Sequence, residues 1–80
     1  MPEYPSSAPV TYEELNELMA LCYERERLAE ERLMAVYRVP VSRPAREDPA
    51  YAAAVAEHQA ADRAVRDLRN RLSRRLLARP

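Results

Sequence analysis

Two stretches in which apolar residues recur in alternating steps of three and four, joined by a glycine-free segment with two prolines, restrict this chain to a bent pair of helices. The first stretch is Leu15, Met19, Cys22, Glu26, Ala29, Leu33 and Val36; the second is Tyr51, Ala54, His58, Ala61, Val65, Leu68 and Leu72, with Leu76 extending it. Steps of three and four return a side chain to the same side of a 3.6-residue helix, whereas a strand needs strict alternation, and no such run occurs. The expected fold class is therefore all-α: an antiparallel two-helix hairpin, coiled-coil-like, completed as a four-helix bundle by dimerisation or by a partner.

Local signals set the boundaries. Thr11 followed three residues later by Glu14 is a capping box, and Val10 with Leu15 occupy the positions of a hydrophobic staple, so the first helix is expected from Tyr12 to about Arg38. Pro40 ends it, because a proline lacks the amide donor and pushes Val39 out of the helical region. Asp48 then offers an acidic cap, with Pro49 at the first helical position, where the missing N–H costs nothing. The second helix is expected over 49–78, stopping before Pro80. The division predicted is a Pro-rich extended arm over 1–10, then the hairpin over 11–79, whose connector, 39–48, is read as extended and stiff. That connector is long for a helical hairpin, where about 2 to 8 residues is usual.

Eighty residues form one small domain, too short for a lone core to be comfortable, so oligomerisation is a common remedy. A disulfide cannot supply it within the chain, since Cys22 is the one cysteine; with no histidine near it in sequence it reads as a small core hydrophobe. Residues 1–10 have neither a basic start nor an apolar run, and no apolar stretch approaches the roughly 20 residues that span a bilayer, so a cytoplasmic protein without a membrane partner is expected. All 13 basic residues are arginine, the signature of a GC-rich coding sequence such as that of an actinobacterium or its phage.

The net charge is zero, but residues 1–37 hold eight acids and three arginines, and residues 38–80 hold ten arginines and five acids. Opposite halves of this kind favour lying side by side. If the connector reverses the chain so that Val36 faces Tyr51, then Leu33 falls near Ala54, Met19 near Leu68 and Leu15 near Leu72. In that register Glu26 and His58 come within about a turn of each other and are expected as a buried polar pair fixing the alignment. Beside this seam the first helix carries a second stripe, Leu18, Leu21, Arg25, Leu28 and Arg32, with Tyr23 and Met34 on the other flank. Since burying a leucine is worth roughly 1.5 to 3 kcal/mol, the second stripe is expected to bind a partner, either a second copy or a larger protein.

Chemistry is sparse. One histidine and no glycine supply no nucleophile–base pair, phosphate loop or paired acids, so no enzymatic activity and no cofactor is expected. A metal site from His58, Asp62, Glu26 and Glu30 lacks the Glu-x-x-His pattern of carboxylate-bridged bundles, because Val55 stands where the glutamate would be, and none is assigned. The arginine-rich end of the second helix, Arg69, Arg71, Arg74, Arg75 and Arg79, could follow nucleic-acid phosphates. In the hairpin it also lies beside Glu13, Glu14 and Glu17 and at a helix C-terminus, where cations are favoured anyway. The leading expectation is a non-catalytic protein–protein interaction or assembly module, and the alternative is a nucleic-acid-associated regulator.

Overall fold

The computed structural model describes residues 9–77 as two long helices, α1 (Tyr12–Tyr37) and α2 (Pro49–Leu77), packed against each other. The protein is all-helical, and no strand occurs among the described residues. The arm over residues 1–8 and the last three residues, Arg79 among them, lie outside the described residues.

Each helix begins where its capping chemistry dictates. Thr11 is extended at φ −95°, and its hydroxyl accepts from the Glu14 amide at 3.2 Å while the Glu14 carboxylate accepts from the Thr11 amide at 3.0 Å. Two amides that the helix cannot satisfy are thereby paired. Asp48 caps α2 in the same sense, its Oδ1 accepting from the Tyr51 amide at 3.0 Å and its carbonyl from Ala52 at 2.9 Å.

The connector departs from the extended path expected of it. Pro40 accepts from the Arg43 amide at 3.2 Å, Pro44 accepts from Glu47 at 3.0 Å, and Ala45–Glu47 closes into one 3-10 turn. The physical reason is that proline loses a donor but keeps its carbonyl, so each proline opens a tight turn in which the amide three residues on finds an acceptor.

The core is narrow. Leu28 of α1 and Val65, Leu68 and Leu72 of α2 are the buried apolar residues, at 8, 2, 4 and 4 % exposure. Three of these four belong to the α2 stripe expected from its periodicity, and Tyr51, Ala54, His58 and Ala61 continue it half-buried toward the connector. The antiparallel register is close to expectation: Arg25 meets Asp62, Arg32 meets His58, and Glu14 meets Arg75. What differs is the side that α1 turns inward.

Candidate docking face of the first helix

Along α1 the side chains withdrawn from solvent include Glu14, Leu18, Leu21, Arg25, Leu28, Arg32 and Ala35, again in steps of four and three, with Cys22, Glu24 and Ala29 half-buried beside them. This stripe lies one residue before the expected seam, which amounts to a rotation of about 100° about the helix axis. Leu18, Leu21, Arg25, Leu28 and Arg32, reserved by sequence for an outside partner, therefore face α2 of the same chain. This is a correction to the sequence reading, and its cause is visible on α2. Ala54 and Ala61 are small enough for arginine stems to lie along the seam, while polar partners wait at its edges. Arg25 Nη1 reaches Asp62 Oδ1 at 3.5 Å, and Asp62 Oδ2 also accepts from Arg66 at 2.9 Å.

The expected Glu26–His58 pair is corrected by the same rotation. Glu26 points to solvent, and His58 Nδ1 lies 3.2 Å from Arg32 Nη1. A guanidinium can only donate, so Nδ1 is the acceptor and the ring proton belongs on Nε2. Cys22, expected in the core, is a free thiol half-buried at the margin of the seam.

At the far end Arg75 closes the hairpin. Its guanidinium donates through both terminal nitrogens to the Glu14 carboxylate, with Nη2 at 2.7 Å from Oε1, and Nη2 also reaches the Pro9 carbonyl at 2.6 Å. The Arg75 bond, with the Thr11 amide beside it, holds the Glu14 carboxyl at about 2, well below its ordinary 4.5. On the outer side of α1, Arg27 links Glu24 and Glu31, and these acids, Glu24 foremost, push its pKa further up. Of the arginines proposed for phosphate contact, Arg69, Arg71 and Arg74 are exposed, Arg75 is committed to Glu14, and Arg79 lies outside the described residues. Among the described residues, no group of three or more His, Cys, Asp or Glu side chains comes together as a metal cluster, and no helix is long and apolar enough to cross a membrane.

The rotation leaves the large side chains of the other α1 stripe in water, while Cys22 and Ala29 are half-buried. Met19, Leu33, Tyr23 and Tyr37 are 53, 55, 69 and 77 % exposed, and Tyr12 and Leu15 are exposed with them. Placing Leu18, Leu21 and Leu28 inward puts Leu15, Met19, Cys22, Glu26, Ala29 and Leu33 on one broad face of the hairpin, beside Val55, Arg66, Arg69 and Leu76 of α2. The opposite face is an open groove near the connector where charged side chains such as Arg27, Glu30, Glu31 and Glu57 are mixed with apolar ones such as Met34 and Ala53.

Sequence reasoning had assigned this apolar stripe to the core. The signal that could have separated the two stripes was cross-helix complementarity: Arg25 and Arg32 have an acid and a histidine at matching heights on α2, whereas Leu33 and Met19 face no comparable demand. No family model matches this chain, and comparison with curated proteins and with solved structures likewise finds no match.

Proposed function

We propose that this chain is a non-catalytic protein–protein interaction module that docks through the apolar stripe of α1 centred on Leu15, Met19, Tyr23, Leu33 and Tyr37. The exposure of these side chains on one helix carries the reading. Each large apolar side chain withdrawn from water is worth roughly 1.5 to 3 kcal/mol, and monomeric proteins rarely leave a contiguous apolar patch of more than a few hundred Å² wet. The stripe sits on a continuous helix and includes two tyrosines, Tyr23 and Tyr37, rigid side chains that supply contact area at low entropic cost. A photo-crosslinking residue at Leu33, compared with one at Ala60 on the outer side of α2, tests the reading in the native cell. Protein adducts are expected from position 33 and not from position 60; equal yields, or none at 33, would remove it.

A second reading rests on the exposed arginines of α2. Arg69, Arg71 and Arg74 could meet phosphates, but Asp67 shares a surface hollow with Arg71 and Arg74, and no aromatic residue follows Tyr51 to stack on bases. The reading predicts weak, salt-sensitive association, and it ranks below the first.

A further inference from the structure

We infer that the occupant of the apolar face is a second copy of this chain, seated so that α1 of each copy lies against α2 of the other and all four helices run antiparallel to their neighbours. The inference rests on the docking reading above and names its partner. Charge decides the pairing. The α1 side of the face presents Glu26, which is exposed, whereas the α2 side presents Arg66 and Arg69, also exposed. Packing α1 on α1 would bring acids of the same helix together, because residues 1–37 hold eight acids against three arginines. Packing α1 on α2 brings opposite charges together and excludes the competing arrangement.

The heights agree as well. A two-fold axis along the bundle keeps equivalent residues level, so the register seen within one hairpin also operates between the two. At the mean spacing of the Arg25–Asp62, Glu14–Arg75 and Arg32–His58 contacts, Leu33 then stands within about one residue of the level of Val55 of the second copy, and Tyr12 within about one residue of that of Leu76. Glu26 comes within about one helical turn of Arg66 of the second copy, which inside its own chain bonds only the edge of Asp62. Size agrees too: 26 residues of helix are about 39 Å long, and two helices side by side are about 20 Å wide. Such a face offers about 800 Å² per partner, the area of an ordinary stable interface.

The full chain should sediment at twice 9.2 kDa in the micromolar range. Glu26→Arg and Arg66→Glu should each weaken the dimer about threefold to tenfold, and combining them should restore it, since each single change creates a like-charge contact that the double change removes. Both positions are exposed, so helicity should be unchanged in every variant. As an independent measurement, a spin label on Ser42→Cys in a Cys22→Ala background should give an inter-label distance below about 30 Å, because both connectors lie at one end; α1-on-α1 packing would place them about 39 Å or more apart. A monomer at all concentrations, a tighter dimer with Glu26→Arg, an unrescued double variant or the longer distance would each overturn the inference. If adducts at Leu33 were to other proteins while the purified chain stayed monomeric, self-docking alone would fail and the module reading would stand.

Discussion

Replacing Leu28 and Leu33 by alanine, one at a time, tests which side of α1 faces α2. Leu28 is 8 % exposed and Leu33 is 55 % exposed, though they are five residues apart on one helix and share a side-chain type. A buried Leu→Ala change costs about 2 to 5 kcal/mol, the lower end applying where neighbours can collapse into the gap. A seam between only two helices has little to hold a cavity open, so about 2 to 3 kcal/mol is expected for Leu28→Ala. Leu33 withdraws less than half its surface in the isolated hairpin, and its replacement should cost about 1 kcal/mol or less. For a domain of this size each kcal/mol shifts Tm by about 4 to 8 °C, so the two variants should melt at least about 5 °C apart. Urea unfolding followed by circular dichroism, at the lowest workable protein concentration so that self-association does not add to the Leu33 value, gives the comparison directly. Equal losses, or a larger loss for Leu33→Ala, would refute the assignment of the inward face.

Three further outcomes follow from other parts of the molecule. The Glu14 carboxyl is held below its ordinary value by Arg75, so the stability it contributes should be complete above about pH 4.5 and be lost as pH falls toward about 2; Glu14→Gln should flatten that part of a Tm-against-pH curve, and an unchanged curve would count against the Arg75 contact. Thr11→Ala removes the acceptor for the Glu14 amide and should cost about 1 kcal/mol in thermal or urea unfolding, with the loss concentrated in amide exchange of the first turn of α1. If Arg69, Arg71 and Arg74 bind duplex DNA, the logarithm of affinity should fall against the logarithm of salt concentration with a slope of about −2.7, and replacing the three by alanine should abolish it; no measurable binding at low salt would dismiss the second reading.

The elements and their alignment were legible because they depend on local chemistry. The Thr11–Glu14 box, the Asp48–Pro49 start and the stripe ending in Val65, Leu68 and Leu72 are each readable without knowing what lies across the seam. The rotation of α1 was not, because that helix carries two adjacent stripes of comparable apolarity. Counting Leu15, Met19, Leu33 and Val36 against Leu18, Leu21 and Leu28 favours the stripe without arginines. Arg25 and Arg32 nevertheless belong inside, since aliphatic stems can cover apolar surface while their heads reach Asp62 and His58. A helix-by-helix reading penalises a charge in a seam, and only the facing helix can cancel the penalty. The connector was misjudged for a similar reason: prolines argue against helix and sheet, but their carbonyls still recruit the following amides into tight turns.

Pro40, Pro44 and Pro49 also govern how this chain can exchange parts with another. Domain swapping between hairpins usually proceeds by straightening the hinge, so that two helices fuse into one rod and each half pairs with a different molecule. Here a fused rod would carry three interior prolines, each costing about 3 kcal/mol in a helix. The bend would therefore be kept in any assembly, and under the proposed self-docking, copies would meet as closed hairpins rather than by trading arms.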